Sequence, residues 1–326
     1  MKIYLIIFSL PVPFSVAQIP SVSTNAAQAN WIEELHSHAD DPRQGPSQGS
    51  QYLYLDKIFE NINPTNKFYV EFGFNCKGGI QCGSGANVAK LYADGWRGLL
   101  LDGDNEDLSI NLHAHYLFHN NIASIFEKYN VPKELDYLSV DMDSHDIFVL
   151  QGILEAGYRP RVLSHEYNSN YPLGSEISMI DPSFLQEEEL RTYKFSFKGC
   201  IWGASVSAFN TLLTKYNYAA VGRVSVLDIF YVRKDILDQL VSKFGLKVPP
   251  IAWFFFGFHT GLYGETHAHH PEVPDANYLN YLIDYGEYIR SNYSFSAGRA
   301  KLRQSLTRIK HIPCLKNVRN YLDTTS

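Results

Sequence analysis

Six acids in this 326-residue chain stand at or just past the end of a short apolar run. Glu71 follows Phe68-Tyr69-Val70, and Asp102 and Asp104 follow Leu99-Leu100-Leu101. Asp141 and Asp143 follow Tyr137-Leu138-Ser139-Val140, and Glu166 follows Arg161-Val162-Leu163-Ser164-His165. Carboxylates at strand tips can accept hydrogen bonds from ribose hydroxyls or remove a proton from a substrate. Asp141-x-Asp143 also has a spacing that could hold a divalent ion, although no metal centre is expected here. His145 adds a group that works as a base near neutral pH without a large shift, whereas a carboxylate needs its pKa raised. The plain structural alternative is that Asp143 or Asp146 caps the helix that follows.

The elements that must position these acids begin at Lys67. A strand reaches Glu71-Phe72-Gly73, a glycine-rich loop follows, and a helix is expected from about Gly85 to Ala93. Gly95 closes that helix, and a second strand ends on Asp102-Gly103-Asp104. Strand, glycine loop, helix, strand and acid make the βαβ unit of an adenosine-binding site. The spacing does not fit a dinucleotide: Gly83-Ser84-Gly85 lacks the third glycine and lies ten residues past the strand. Acid-x-Gly at the first strand tip suits S-adenosylmethionine (SAM), which has no pyrophosphate to cradle.

Beyond this unit the pattern predicts a helix over 106–116, a short strand over 119–124 and a brief helix over 125–129. A strand over 136–143, a helix over 145–156 and a strand over 161–165 follow, with Gly157 as the helix terminator. Residues 169–198 read as a polar insertion or lid. A helix is expected from 203 to about 215, then a closing hairpin over 219–224 and 228–232. Alternating strands and helices give a doubly wound, mostly parallel α/β sheet, in which ligands bind outside the carboxyl ends of the strands. The six acids all fall on that edge.

In this order and spacing the sequence resembles the FkbM-type SAM-dependent methyltransferases. The resemblance rests on Val70-Glu71-Phe72-Gly73, Gly95-Trp96-Arg97-Gly98-Leu99-Leu100-Leu101-Asp102-Gly103-Asp104 and Asp136-Tyr137-Leu138-Ser139-Val140-Asp141-Met142-Asp143. It continues in Tyr158-Arg159-Pro160-Arg161-Val162, Glu166-Tyr167-Asn168, Gly203-Ala204-Ser205 and Phe230-Tyr231-Val232-Arg233. It implies a seven-stranded Rossmann-like methyltransferase sheet with a reversed last hairpin, and O-methylation of a sugar or other small hydroxylated acceptor. By position, Glu71 and Gly73 would line a SAM pocket that Asp141 borders. Asp102 would hold the ribose, with Asp104 as the competing choice. Asp143, His145 and Glu166 would surround the acceptor hydroxyl, His145 being the expected base. The loop after Gly73 is longer than the family's and carries two cysteines.

Composition bounds the rest. Net charge is −6, which excludes a general nucleic-acid binder. Lys2, an apolar stretch and Ser15-Val16-Ala17 read as a signal peptide over 1–17, so the expected route is secretory or extracellular. A loosely ordered lead-in over 18–50, a catalytic domain over 51–248 and an aromatic-rich C-terminal extension over 249–326 complete the layout. Cys76 with Cys82, and Cys200 with Cys314, are plausible disulfides in that compartment. Asn292-Tyr293-Ser294 is a glycosylation sequon. His267, His269 and His270 have metal-ligand residue types but read as a solvated loop. The tail from Arg299 to Arg319 holds seven basic residues and no acid. With Leu302, Leu306 and Ile309 on one face, it should pack on the domain, with weak contact to an anionic membrane surface as the alternative. Two other functions compete: a secreted non-catalytic binding protein on a methyltransferase fold, and a lumenal glycosyltransferase using Asp141-x-Asp143 to hold a metal and a nucleotide sugar.

Overall fold

The computed structural model describes residues 25–39, 45–47, 49–74, 79–80, 86–185, 202–225, 228–255 and 280–308. The expected leader over 1–17, all four cysteines, and His267, His269 and His270 lie outside these residues.

Seven strands form the central sheet: β1 (Phe68–Phe72), β2 (Arg97–Asp102), β3 (Leu112–Ala114), β4 (Tyr137–Val140), β5 (Val162–Glu166), β7 (Tyr218–Val224) and β8 (Asp228–Arg233). Their order is β3-β2-β1-β4-β5-β8-β7. The first five are parallel, while β8 runs antiparallel to both β5 and β7. This is the doubly wound, mostly parallel Rossmann-like sheet with a reversed last hairpin. Every residue of β1, β4 and β5 is buried, as strands covered on both faces must be.

Helices cover the two faces. They are α2 (Gln51–Ile62), α3 (Ala89–Ala93), α4 (Ile122–Lys128), α5 (Asp146–Glu155), α6 (Val206–Lys215) and α7 (Lys234–Phe244). The side chain of Ser205 caps α6 by accepting from the amide of Ala208, as Gly203-Ala204-Ser205 led one to expect.

Three stretches differ from the sequence reading. The lead-in contains a helix, α1 (Asn25–His36), whose Trp31, Ile32 and Leu35 are buried against α2, α7 and β7. Each such side chain contributes about 1.5–3 kcal/mol on burial, enough to order a short polar helix by tertiary packing alone. The helix expected over 106–116 is a 3-10 turn at Leu108–Ile110 followed by β3. Asp107 turns the chain there by accepting from the amide of Ser109, and Asn111 takes a left-handed conformation. The strand expected over 119–124 is the approach to α4, which starts at Ile122.

A second, two-stranded sheet lies beside the first. β6 (Ile177–Met179), from the polar insertion, pairs antiparallel with β9 (Leu282–Asp284) from the C-terminal segment. Two helices follow, α8 (Tyr285–Arg290) and α9 (Phe295–Arg308), and α9 packs on β9 and α8. Leu302 and Leu306 are buried, so the apolar face of the basic helix is turned inward over its described length. Among the described residues no helix is long and apolar enough to cross a membrane.

Candidate active site at the carboxyl edge of the sheet

The tips of β1, β2 and β4 open into a cavity of about 420 Å³. Gly73, Asp102, Asp104, Tyr116, Asp143 and His145 are among its walls. Gly73 has a φ of +70°, and a Cβ placed on it would lie 1.9 Å from the carbonyl oxygen of Asp141. The β1 and β4 tips therefore meet closer than any side chain allows, and only glycine fits.

The acids expected at this edge fall into two groups. Asp102 and Asp104 face the cavity at the end of β2. The Oδ1 atom of Asp102 accepts from the amides of Asp104 at 2.9 Å and Asn105 at 2.8 Å, and from the Asn105 side chain at 2.7 Å. This curls the loop after β2 back over its strand. The Tyr116 hydroxyl donates to Oδ1 of Asp104 at 2.6 Å, closing the far wall.

Asp141, Asp143 and Glu166 make the second group. One carboxylate oxygen from each lies within 4.8 Å of the others. Asp143, in a left-handed conformation at φ 59°, belongs to both groups and joins the cavity to the acid cluster. Burial, followed by the neighbouring acid charges, holds the carboxyls of Asp141 and Glu166 well above the usual range.

Glu71 stands apart. It is buried below the cavity, and its oxygens accept from the amides of Asn87 at 2.8 Å and Val88 at 3.0 Å. Burial pushes its carboxyl up to about 8 even though these two amides pull it down. It fastens the start of α3 to β1 and does not form part of the cavity wall.

His145 is brought to the cavity, but both ring nitrogens have partners. Nε2 donates to the carbonyl of Leu117 at 2.8 Å, and Nδ1 lies 3.1 Å from the Ser144 hydroxyl. The ring also stacks on Phe118. It thus ties the start of α5 to the 115–118 wall. The turn before α5 is held by Asp146, which accepts from the amides of Met142 at 2.6 Å and Ser144 at 2.9 Å. Of the two aspartates weighed for a local structural role, Asp146 has it.

The residue that sequence reasoning missed is Asp228. It is the first residue of β8, pairs with Glu166 across the antiparallel ladder, and is 1% exposed. Burial first, then the charge of Asp143, pushes its carboxyl up to about 7. Gln51 donates to its Oδ2, and Oδ1 has no hydrogen-bond partner among the described residues. A signal was available: in a sheet whose last strand is reversed, the start of that strand lies at the edge where the parallel strands end.

No protein-family model matches the chain, and no curated protein matches it. Among solved structures it is similar to the MycE methyltransferase from the mycinamycin biosynthetic pathway, determined in complex with Mg and SAH. The two are 16% identical, with a TM-score of 0.33, over 63% of this chain and 55% of that one. The match thus spans about half the length of that protein. A likeness at this level assigns no residue role, and the FkbM-type resemblance has no family model behind it.

Proposed function

We propose that the chain is a SAM-dependent methyltransferase acting on a hydroxyl oxygen of a small acceptor, of the sugar class. The observation that carries this reading is the cavity at the tips of β1, β2 and β4, walled by Gly73, Asp102 and Asp104. Its residues fit the cofactor. A volume of about 420 Å³ is that of a small-molecule site, commonly ~300–1,000 Å³. The bare backbone at Gly73 admits close approach, and two acids at the β2 tip suit vicinal ribose hydroxyls. Asp102 commits one oxygen to its own loop and keeps a second for a ligand.

When bound, SAM supplies an electrophilic methyl group. The chain's own residues then have separable tasks. Asp102 and Asp104 accept from the ribose hydroxyls, and Tyr116 fixes the Asp104 carboxylate in place. His145 holds the 115–118 wall against α5. Asp143 and Glu166 receive the acceptor hydroxyl, and a carboxylate raised by burial and like charge is suited to take its proton near neutral pH. The expected leader would deliver this activity to the secretory route, which N-terminal sequencing of exported protein checks.

Isothermal titration of the whole protein with SAM and S-adenosylhomocysteine tests the reading. One site per chain is expected, weakened about 10- to 100-fold in Asp102→Asn, since one charge-assisted hydrogen bond contributes ~1.5–3 kcal/mol. No heat with either ligand would leave the cavity without its proposed cofactor.

A further inference from the structure

The turn that joins α8 to α9 is a left-handed bend, with Asn292 at φ 55° and Tyr293 at φ 68°. The amide of Asn292 donates to the carbonyl of Ile289 at 3.2 Å, and that of Tyr293 to the carbonyl of Tyr288 at 2.8 Å, which closes α8. Asparagine takes this conformation more readily than most residues, so the bend alone accounts for Asn292. It does not account for the hydroxyl residue two places on. Asn292-Tyr293-Ser294 is the one glycosylation sequon of the chain, since Pro64 disqualifies Asn63-Pro64-Thr65.

The fold leaves both polar groups of that sequon accessible. Asn292 is exposed, and its carboxamide has no hydrogen-bond partner among the described residues. The Ser294 hydroxyl meets that of Ser296 at 3.2 Å and accepts from the amide of Ala297 at 3.4 Å, both beyond the usual range and readily given up. A bulky group on Asn292 therefore extends into solvent without displacing a packed side chain. The surface beside it supplies an independent observation. Phe184 and Tyr293, 45% and 42% exposed, and the partly buried Phe295 gather around the buried ring of Tyr288, with centroids 6.5, 5.4 and 5.6 Å from it. Lys215 donates to the Tyr293 hydroxyl at 2.9 Å and holds that ring at the surface. Exposed aromatic rings grouped in this way mark a surface that something covers, and a chain of sugars on Asn292 would start one residue from it.

We propose that Asn292 carries an N-linked glycan whose core sugars cover the aromatic patch of Phe184, Tyr293 and Phe295. In the transfer, the side-chain nitrogen of Asn292 bonds to the anomeric carbon of an oligosaccharide carried on a lipid diphosphate. The bond from that carbon to the diphosphate oxygen breaks, the nitrogen gives up one proton, and the lipid diphosphate leaves. That donor belongs to the secretory route, the one expected from the leader over 1–17. None of these residues walls the cavity, so the inference is independent of the methyltransferase reading.

The test expresses the whole chain, leader included, in a eukaryotic cell line and recovers it from the medium. Peptide N-glycosidase F should increase its gel mobility and convert Asn292 to aspartate, read by peptide mass spectrometry. Asn292→Gly, which suits the left-handed bend, and Ser294→Ala should each abolish the mobility shift, whereas Ser294→Thr should keep it. Removing the glycan from folded protein should raise the fluorescence of an apolar dye, and Phe184→Ser should reduce that rise. A secreted chain with unmodified Asn292, a shift that survives in Asn292→Gly, or a chain retained in the cytosol overturns the site. Unchanged dye fluorescence on glycan removal overturns the cover alone. If Asn292→Gly fails to fold, Ser294→Ala and Ser294→Thr still decide.

Discussion

Glu166 and Asp228 face each other across the antiparallel pair of β5 and β8, two buried acids in one cross-strand position. Like charges so placed are destabilising in a sheet. Asp228 has its carboxyl pushed up to about 7, burial being the main cause, so the folded chain holds a proton that the unfolded chain releases near the ordinary carboxylate value. Stability is therefore full below that ordinary value and falls as pH rises toward 7. Glu71, pushed up to about 8, adds to the same slope. Urea midpoints of metal-free protein should drop between pH 5 and pH 8. Asp228→Asn, which keeps an acceptor for Gln51, should flatten the slope without abolishing it. A midpoint that climbs with pH would contradict both assignments.

At the opposite edge of the sheet, Asp136 has the reverse behaviour. Its carboxylate accepts from the amides of Thr65, Asn66 and Lys67 and from Arg161 at 2.8 Å. Burial opposes ionisation, but these donors outweigh it and hold the carboxyl below the usual range. Its contribution is present above the ordinary carboxylate pKa and disappears as pH falls through the lowered one. Asp136→Ala leaves the buried Arg161 charge unpaired and should cost about 3–5 kcal/mol in chemical denaturation. A loss under ~1 kcal/mol would mean that water replaces the carboxylate.

Gly73→Ala should be costly for two reasons. The residue sits at φ +70°, and the new methyl would meet the Asp141 carbonyl. Left-handed backbone costs roughly 1–2 kcal/mol in an L-residue, and relieving the clash requires the β1 and β4 tips to part. A total of about 2–4 kcal/mol is expected in denaturation, together with weaker SAM binding by calorimetry. Unchanged values would show that the two tips tolerate separation.

His145→Ala separates a base from a brace. Losing a base lowers turnover by roughly 10²–10⁴-fold with cofactor affinity intact. Losing the Leu117 contact and the Phe118 stack should cost about 1–3 kcal/mol of stability and weaken SAM binding as well, since both residues wall the cavity. The bracing outcome is expected, and calorimetry with thermal melting distinguishes the two.

β1, β2, β4 and β5 were readable because their runs are largely apolar, and because each runs into an acid or a glycine. Leu99-Leu100-Leu101 and Tyr137-Leu138-Ser139-Val140 admit no other use in a buried sheet. β3 was not readable, since it is only three residues long, Leu112-His113-Ala114, with one of them buried, and lies on the sheet's edge. α1 was hidden for a different reason: it is polar in composition and is ordered by what it packs against. At the site, residue types showed which groups could do chemistry but not what already occupies them. Glu71 is taken up by two amides and His145 by a carbonyl, and neither bond leaves a trace in local sequence. Asp228 escaped because its partner, Glu166, is sixty-two positions away and only strand reversal unites them.

The pairing of β6 with β9 bears on how this chain can be divided. β6 comes from the insertion after β5, and β9 lies more than a hundred residues later, past the point where the sequence suggested an extension begins. Arg290 of α8 reinforces the join through Glu176, just ahead of β6. A fragment ending near Val248 would keep all seven strands of the main sheet yet leave β6 with an open edge. Such an edge is sticky, and pairing with a second molecule is its usual fate. The C-terminal segment therefore works as a clasp on the insertion, and shortening the chain there exposes that edge to aggregation before it touches the cavity.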